Sequence, residues 1–580
     1  MLTLDERRAL MQVARGERPA DLVIRGATLA NVYSGELHPA HVAIYRGRIA
    51  YVGSRLTGVG PHTQVLDAEG LILAPGLVEP HAHPFVLYTP TGLVEGTLPR
   101  GTTAHFADDM ILVYHGAPGI GAAADVAKEL PVYLRWLARA APATAGRPLF
   151  PPDEVRGRLG HAQTAGMMEY GRWPLQYRGD PPLLGAAQAA LRLGKRVEGH
   201  LSGASAERLS ALVASGITSD HEPIRAQEVV DRLRVGLWVM LRHSSLRPDL
   251  PEVIRAVTEA GVDTARLMFT TDGSTPAFIA EHGHLDEMLR IAVKAGVPPV
   301  RALQMATRNP ATYYGAEGDI GGVAPGRRAD LLLLPDLETF RPVRVLAAGQ
   351  VVAEEGRLTA ALPPGEAWAR CCAVNPLPPA ERVARPDLHA VPAPDAGPVP
   401  VIDHTNAVIT RRIDVDVPRQ DGRVDLSGRP GLLHAALFDQ RGGRLARALV
   451  AGLGEVEGFA TTYTVARGVL SLGRDPRAMA LAARRVVELG GGFVVVEAGE
   501  VAWEFPLTVS AYMSPQPFAV LVEAERALRE RLVRRGYPHN DVLYSLSFLT
   551  GDFLPRVRLT PAGLLDVMEE KVLVPSVPLG

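Results

Sequence analysis

The sequence predicts an α/β protein built around a (β/α)8 barrel, with a small β domain assembled from both flanks of the barrel and a further α/β domain at the C-terminus. Three observations lead to this prediction. Residues 71–318 alternate short apolar segments with helical ones, as repeated β-α units do. Strand-like segments stand on either side, within 1–70 and 319–360. The chain has 580 residues, 47% of them hydrophobic, and is too long for a single core.

The two flanks of the barrel are expected to form one small β domain. Residues 1–18 have the spacing of an amphipathic helix. The segments that follow, DLVIRGATLANV and HVAIYRGRIAYVG, read as strands, and the step at Arg46 and Gly47 is a candidate hairpin turn. A similar pattern returns at 329–358. We therefore expect both pieces to share one sheet.

The last third of the chain predicts a linker and a separate domain. Residues 361–400 are rich in proline and are expected to be a linker or an extended strap. Residues 401–580 form the further α/β domain, with a helix in PRAMALAARRVVELG, a glycine turn at 490–492 and a strand in FVVVEAG.

Composition favours a small-molecule substrate. Lys plus Arg number 61 and Asp plus Glu 63, a net charge of −2 that argues against a nucleic-acid or acidic-membrane partner. No run of about 20 apolar residues occurs, so no membrane span is expected. The N-terminus lacks the apolar core of a signal peptide, and the two cysteines are adjacent, at 371 and 372. A reducing, cytoplasmic location fits best.

Six polar residues of the barrel segment end short apolar or β-branched runs, and together they are typical of a metal site. These residues are His81, His83, Glu169, His200, His221 and Asp272. In a (β/α)8 barrel, residues at the C-terminal ends of the strands meet at one mouth. His81 and His83 are two positions apart, so both imidazoles project from the same face of a strand. The sequence thus predicts a metal-dependent barrel that holds two divalent cations and the water between them.

Each of these residues taken singly has a more ordinary explanation. A lone HxH pair is weak evidence, and a single histidine such as His200 or His221 is more often structural. Glu169 could be a surface carboxylate, although its apolar neighbours favour burial, where a metal-bound carboxylate is less costly than an unpaired one. The joint pattern of six decides for the metal site.

The same stretches resemble the adenine deaminase family of the amidohydrolase superfamily. The resemblance covers most of the chain in order and leaves the proline-rich segment and parts of the C-terminal domain unmatched. The matching stretches include PGLVEPHAH, LPRGTT, EGHLSG, SGITSDHE, FTTD, MATRNPATYYG, GGVAPGRRADLLLLPDL and SFLTGDFLPRVRLTPAGLLDV.

The resemblance implies two divalent transition metals and hydrolytic deamination of adenine to hypoxanthine and ammonia. His81, His83 and Asp272 would bind one ion, and Glu169 would bridge to a second ion held by His200 and His221. The metals in similar proteins are commonly manganese or iron, and the ligand types also allow zinc. The catalytic residues would be Asp272, which moves the proton, and Glu169. We also expect a homo-oligomer, most simply a dimer.

Many superfamily members bridge their metals with a carboxylated lysine. This chain has only four lysines, and none lies at the Glu169 position. Lys195 begins the strand that ends in His200, too early to reach the same mouth. This supports Glu169 as the bridge.

The chain departs from the family pattern around the metal residues. Where the family has ADPHE, this sequence reads ADDMI at 107–111, and the second Asp of the family's TDD is Gly273. HIESS is replaced by HPFVL, REGS by RHSS, and AHDSHN by TVARGVLS at 464–471. The residues that we expect to contact substrate in their place are His105, Asp108, Asp109, Arg242 and His243.

These departures leave the substrate open. Adenine or a close aminopurine is the leading prediction. An N-substituted adenine, a pterin or a cyclic amide is the first alternative, because the pocket motifs depart from the family. Among these, Phe85, Val86 and Leu87 favour an N-alkylated adenine, since they make the wall beside the metal histidines more apolar. A metal-binding homologue without turnover is the second alternative.

Overall fold

The computed structural model describes residues 2–142, 144, 150–372 and 375–579. Within these residues, most strands belong to three large sheets. The first contains a helix and strands from the start of the chain. These are α1 (Leu4–Arg15), β1 (Leu22–Asn31), β2 (Glu36–Tyr45), β3 (Arg48–Gly53), β4 (Gln64–Asp67) and β5 (Ile72–Pro75).

The turn between β2 and β3 is the predicted hairpin. Arg46 and Gly47 have φ angles of 48° and 72°. Two consecutive left-handed residues give the turn whose twist matches that of an antiparallel strand pair. The RG step in the sequence was therefore sufficient to place this hairpin.

The second sheet is the barrel, and its strands are joined in sequence order by parallel pairing. The strands are β6 (Leu77–Ala82), β7 (Thr102–Asp108), β8 (Tyr133–Ala138), β9 (Thr164–Met167), β10 (Arg196–Gly199), β11 (Ser219–Asp220), β12 (Trp238–Arg242) and β13 (Leu267–Thr270). The amide of His83 donates to the carbonyl of Asp272 at 3.1 Å, which brings the first and last strands together and nearly closes the barrel.

Helices lie between and after the barrel strands. They are α2 (Pro90–Thr97), α3 (Gly116–Ala127), α4 (Pro152–Gly160), α5 (Trp173–Tyr177), α6 (Pro181–Arg192), α7 (Ala206–Ala214), α8 (Ala226–Arg234), α9 (Leu250–Val253), α10 (Arg255–Thr258), α11 (Pro276–Glu281), α12 (Leu285–Lys294), α13 (Pro299–Ala306) and α14 (Arg308–Tyr313). Their apolar sides pack on the sheet, while Val78, Phe106, Leu137 and Met168 fill the barrel interior. The predicted (β/α)8 barrel is confirmed.

After the barrel the chain returns to the first sheet. The returning strands are β14 (Leu331–Leu334), β15 (Arg344–Ala347), β16 (Gln350–Glu354) and β17 (Arg357–Leu358). β14 pairs with β5, so the small β domain is built from both flanks, as predicted. Because β5 belongs to this sheet, the barrel begins after residue 75 and not at residue 71.

The proline-rich segment at 361–400 is a packed strap in its described part. Trp368 is fully buried and donates from Nε1 to Thr91 Oγ1 at 2.8 Å. Cys371 and Cys372 are buried free thiols. The segment also contains α15 (Ala380–Val383). These contacts fix the path of the chain toward the C-terminal domain.

The C-terminal domain contains the third large sheet. Its strands and those of two smaller sheets are β18 (Val399–His404), β19 (Thr410–Val415), β20 (Arg419–Gln420), β21 (Arg423–Val424), β22 (Leu432–Phe438), β23 (Arg444–Ala451), β24 (Gly458–Thr461), β25 (Val469–Gly473), β26 (Gly492–Glu497), β27 (Glu500–Pro506), β28 (Val557–Thr560), β29 (Gly563–Asp566), β30 (Lys571–Pro575) and β31 (Val577–Pro578). The helices are α16 (Pro476–Glu488), α17 (Phe518–Arg534) and α18 (Val542–Phe548).

Contacts between α17 and the barrel place the C-terminal domain over the barrel mouth. The carboxylate of Glu525 accepts from the amide of Ala277 in α11 at 2.7 Å. Phe518, at the start of α17, donates its amide to Glu95 of α2 at 2.8 Å. The predicted α/β domain is thus present, and it covers the end of the barrel where the six polar residues lie. No helix in the described ranges is both long and apolar enough to cross a membrane.

Candidate active site at the barrel mouth

Every barrel strand delivers a charged or imidazole side chain at or just after its C-terminal end. In strand order these residues are His81 with His83, Asp108, Arg139, Glu169, His200, His221, Arg242 and Asp272. All six residues predicted as metal ligands are among them. The parallel strands bring their ends to one mouth, which explains how residues separated by up to about 190 positions meet.

His81, His83 and Asp272 form one group of possible ligands. Their ligand atoms lie within 4.8 Å of one another. The Oδ1 atom of Asp272 is 3.0 Å from His83 Nε2 and 3.5 Å from His81 Nε2. His81 Nε2 is buried and has no hydrogen-bond partner among the described residues. Such an orphaned nitrogen facing a carboxylate and a second imidazole fits a divalent cation.

Glu169, His200 and His221 form the adjacent group. The Oε2 atom of Glu169 is 2.8 Å from His200 Nδ1 and 3.1 Å from His221 Nε2. Its other oxygen, Oε1, is 3.8 Å from His83 Nε2, on the side of the first group. Burial alone would raise the pKa of Glu169, but the imidazoles of His200 and His221 hold it well below its usual range. The two oxygens of one carboxylate therefore face both groups, as a bridging ligand requires.

Two buried carboxylates orient the histidines of the first group. Glu198 Oε2 is 2.7 Å from His81 Nδ1, and Asp108 Oδ2 is 2.9 Å from His83 Nδ1. A carboxylate on one ring nitrogen fixes the other nitrogen toward a metal and raises its basicity. The sequence reasoning missed Glu198. Its signal is the spacing E-x-H in EGH, because period-2 alternation places Glu198 on the same face of β10 as His200.

Glu222 is a second missed residue, and it lies beside the second group. Its carboxylate is 3.5 Å from both His200 Nδ1 and His221 Nε2, and it accepts from Arg242 Nη1 at 2.5 Å. Although burial would raise the pKa of Glu222, Arg242, His200 and Arg247 lower it. Glu222 directly follows His221 in SDHE, so the chain itself carries this carboxylate to the mouth.

Arg242 lines the pocket and links two carboxylates. Its Nη1 atom also donates to Asp272 Oδ2 at 2.9 Å. Asp272 thus offers Oδ1 to the histidines and Oδ2 to the guanidinium. Burial would raise the pKa of Asp272, but His81 and His83 lower it well below the usual range, and Arg242 adds to this. These contacts favour the ionised form of the Asp272 carboxylate.

The backbone at Asp272 adopts a left-handed conformation, with φ of 61°. A non-glycine residue in this region is uncommon, and such residues concentrate at functional sites. The next residue, Gly273, packs against the hydroxyl of Tyr544, which donates to the Gly273 carbonyl. A β-carbon at 273 would collide with that hydroxyl. The absence of a side chain at 273 therefore makes room for Tyr544 of the C-terminal domain.

The C-terminal domain covers the mouth with an aromatic wall. The Tyr544 and Phe548 ring centroids are 4.8 Å apart, and Phe548 is 4.8 Å from Phe553. Phe553 meets the ring of His200 edge-on at 6.0 Å. Tyr463, Val465 and Tyr512 line the same pocket, which has a volume of about 1080 Å³ including the part open to solvent. Val465 lies in the TVARGVLS segment that departs from the family.

Asp108 and Asp109 do not contact the pocket, contrary to our prediction. Asp108 accepts from Arg139 Nε at 2.7 Å and Nη2 at 2.6 Å, in addition to its contact with His83. Asp109 accepts from Arg158 Nη1 at 2.6 Å. Burial raises the pKa of Asp109 to about 6 although Arg158 opposes the shift. Two adjacent buried carboxylates each need a cationic partner, and the two arginines supply one to each. Both carboxylates therefore stabilise the structure around the mouth.

His105 was also predicted to contact substrate, and the structure places it elsewhere. Along β7, Phe106 and Asp108 point into the barrel, so His105 points outward by alternation. Its Nε2 atom is 3.4 Å from Thr97 Oγ1 of α2, and its ring is 6.1 Å from that of His284. Burial lowers its pKa to about 3. His105 is a neutral histidine between the sheet and the helices.

His243 was also predicted to contact substrate, but it does not line the pocket. It follows Arg242 on β12, so its side chain points to the opposite face. Its ring lies 5.9 Å from that of Phe278. Among the predicted substrate-contact residues, Arg242 is the one that lines the pocket.

Lys195 lies at the far end of the barrel, as its sequence position indicated. Its ammonium group donates to the carbonyls of Leu159 and His161. It therefore points away from Glu169.

Comparison with known proteins identifies the family of this chain. Residues 72–352 match the model of the amidohydrolase family, and residues 407–571 match that of the adenine deaminase C-terminal domain. The chain is 34% identical to the adenine deaminase of Moorella thermoacetica, covering 98% of this chain and 97% of that protein. It is 36% identical to the adenine deaminase of Rubrobacter xylanophilus, covering 97% and 96%.

Among solved structures, the beta-aspartyl dipeptidase of Fervidobacterium islandicum AW-1 covers 59% of this chain and 98% of its own, with 17% identity and a TM-score of 0.46. The relatives in sequence extend over nearly the full length of both chains. As an amidohydrolase, the chain is a hydrolase acting on C–N bonds whose family binds divalent metals. The chain belongs to the adenine deaminase family of the amidohydrolases.

Proposed function

We propose that this protein hydrolyses adenine to hypoxanthine and ammonia. The observation that carries the proposal is the joint set of six ligand residues at the barrel mouth, where one oxygen of Glu169 faces His83 and the other faces His200. The full-length similarity to proteins named adenine deaminase supports adenine as the substrate.

We propose that His81, His83 and Asp272 hold one divalent ion, that His200 and His221 hold a second, and that Glu169 bridges them. The set contains nitrogen and oxygen atoms only, which suits manganese, iron or zinc. The family resemblance favours manganese or iron among them. When bound, such ions lower the pKa of a water molecule so that hydroxide forms near neutral pH.

Asp272 is the proposed proton carrier. Its Oδ2 atom is fixed by Arg242, while Oδ1 faces the histidines of the first group. An ionised carboxylate at this place accepts the proton of the attacking water and delivers it to the departing nitrogen. The amino group of adenine then leaves as ammonia. Arg242, which also lines the pocket, is the proposed polar contact to the substrate ring.

The test is ammonia release from adenine by purified protein whose metal content is quantified. We expect conversion of adenine to hypoxanthine, followed by ultraviolet absorbance, with turnover proportional to bound metal. Full metal occupancy without ammonia release would refute deamination of adenine. Ring opening of a hydantoin or lactam without ammonia would identify a cyclic-amide hydrolase instead.

An N-substituted adenine is a second candidate, because the pocket wall is apolar. Phe85 and Val86 line the pocket beside His83, and the aromatic wall of the C-terminal domain adds a further apolar surface. Apolar groups of this kind accept an alkyl substituent and offer few partners to a bare amino group. Under equal metal loading, a higher kcat/KM for N6-methyladenine than for adenine would select this candidate.

The dimer and the cytoplasmic location stay predictions of the sequence. Free, buried thiols at Cys371 and Cys372 fit a reducing compartment. Light scattering on the purified protein and fractionation of cells that express it would test these two predictions.

A further inference from the structure

A polar cluster lines the pocket wall near the second ligand group, and none of the roles described above uses it. Tyr170 and Arg172 follow Glu169 in the loop after β9, and Asp552 comes from the C-terminal domain shortly after α18. Arg172 Nη1 and Asp552 Oδ2 are 3.2 Å apart. The cluster is thus shared between the barrel and the domain that covers it.

The polar atoms of this cluster are buried without sufficient partners. Asp552 is 2% exposed and Tyr170 5%. In the described part of the chain, neither carboxylate oxygen of Asp552 has a partner with hydrogen-bond geometry, and the same holds for Tyr170 Oη and Arg172 Nε. Buried polar groups are normally hydrogen-bonded, and leaving them unpaired is unfavourable. These residues all line the pocket, so a ligand there can supply the missing partners.

The local packing holds the cluster in place. Gly171 lies against Phe553 so closely that a β-carbon at 171 would collide with the Phe553 side chain. Trp173 anchors the loop by donating from Nε1 to the Ser202 carbonyl at 2.9 Å. Phe553 also meets the ring of His200. The cluster is therefore fixed beside the ligand groups and is preorganised before substrate binds.

We propose that Asp552, Arg172 and Tyr170 recognise the edge of the purine ring opposite the leaving amino group. This inference rests on the proposed function. At that edge, free adenine carries the N9–H donor next to the N3 acceptor. Asp552 accepts from N9–H, and Arg172 donates to N3. The pair matches the donor and acceptor of a free base, whereas a substituent on N9 removes the donor.

The consequence is selectivity for free bases over N9-substituted purines. We expect wild-type protein to prefer adenine over 9-methyladenine by about 10- to 100-fold in kcat/KM, the range expected for one hydrogen bond to a charged group. Asp552→Ala should lower kcat/KM for adenine by a similar factor, mainly through KM. It should leave 9-methyladenine within about twofold, so that the preference disappears. Asp552→Asn, which keeps an acceptor oxygen, should be intermediate.

The control is a second ion pair between the barrel and the C-terminal domain. Arg178 pairs with Glu570, both side chains are more than half exposed, and neither lines the pocket. Glu570→Gln should leave kcat/KM unchanged for both adenine and 9-methyladenine. If Asp552 served only to hold the domains together, Asp552→Ala would lower kcat/KM equally for adenine and 9-methyladenine. The preference for adenine would then remain, and this result would overturn the proposal. Should Asp552→Ala fold poorly, Asp552→Asn tests the same preference, with a smaller expected loss.

Binding of purines that lack the amino group separates this proposal from the deaminase function. Purine and 9-methylpurine have no amino group to lose, so their binding can be measured without deamination, by calorimetry on metal-loaded protein. We expect wild type to bind purine about 10- to 100-fold more tightly than 9-methylpurine and Asp552→Ala to bind both alike. Equal binding by wild type overturns the subsite even if adenine is deaminated. Preferential binding supports it even if adenine is not deaminated.

Discussion

The two halves of the pocket are built on opposite principles. The barrel half is a network of charges at strand ends, in which Asp108 pairs with Arg139 and Glu222 with Arg242. The C-terminal half is an aromatic wall carried by helix α18 and the loop after it. Strand ends hold groups rigidly, as metal ligation and proton transfer require, whereas loops and packed helices from another domain can vary without disturbing them. We therefore expect the barrel half to carry the chemistry, and both halves to contribute to which ring is accepted.

Breaking the barrel half at a ligand should have the largest effect. We expect His81→Ala and His200→Ala to lose bound metal and to reduce turnover below detection, because a lost imidazole is not replaced by water of equal strength. Elemental analysis and ammonia release measure the two effects. Retention of full metal content in both variants would contradict the ligand assignment.

Removing the proton carrier should separate metal binding from turnover. Asp272→Asn keeps an oxygen for the cation but cannot carry a proton. We expect most of the metal to remain and kcat to fall by roughly 10²- to 10⁴-fold, the usual contribution of general acid–base catalysis. Near wild-type turnover by this variant would assign the proton to another group.

The carboxylates beneath the ligands should matter less than the ligands. Glu198 contacts His81 but does not line the pocket. We expect Glu198→Gln to weaken metal affinity by about 10- to 100-fold, as is usual for groups that orient a ligand. Competition with a chelator measures the affinity. Activity should recover when metal is added in excess, and failure to recover would show that Glu198 acts beyond positioning His81.

The contact between the two halves can be tested at Gly273. We expect Gly273→Ala to lower kcat/KM about 10-fold, because overpacking forces side chains or backbone to move and this site tolerates little displacement. The β-carbon would meet the Tyr544 hydroxyl, so Gly273→Ala combined with Tyr544→Phe should recover part of the loss. Equal activity of the single and double variants would show that the hydroxyl is not the obstacle.

The same contrast explains what the sequence could predict. The ligands were predictable because strand periodicity and the C-terminal ends of parallel strands place HxH and the later His and Asp residues at one mouth. The Tyr544–Gly273 contact joins residues 271 positions apart, and no local pattern signals it. The cluster at Arg172 and Asp552 is a contact between domains of the same kind.

Two errors in the sequence prediction came from the direction in which side chains point. His105 and His243 stand next to residues of the mouth in sequence, yet alternation turns them to the other face. Asp108 does lie at the end of its strand, as the sequence indicated, but its carboxylate is paired with Arg139 and does not line the pocket. Alternation from Asp108 and Arg242 could have excluded the two histidines; the pairing with Arg139 could not be derived from the sequence.

The smallest expected effect on activity belongs to His105, on the outer face of β7. We expect His105→Leu to keep metal content and kcat/KM at pH 7 within about twofold. His105 does not line the pocket, and substitutions at sites that share no contacts usually act independently of one another. Its partner Thr97 Oγ1 still donates to the Leu93 carbonyl at 2.8 Å, so no hydroxyl is left unpaired. Loss of turnover with metal retained would place His105 in the catalytic site after all.

The substitution should instead change the pH dependence of stability. Burial lowers the pKa of His105 to about 3 in the folded protein, whereas in the unfolded chain it is about 6.5. Below pH 6.5 the unfolded state takes up a proton that the folded state refuses, so the stability that this group provides above pH 6.5 is lost progressively toward pH 3. Between pH 7 and pH 5 the loss from one such group is about 2 kcal/mol. The leucine variant lacks it, so its free energy of unfolding in urea should decline less over that interval than that of the wild type. Parallel declines for both proteins would mean that His105 is protonated, or partnered, in the folded state.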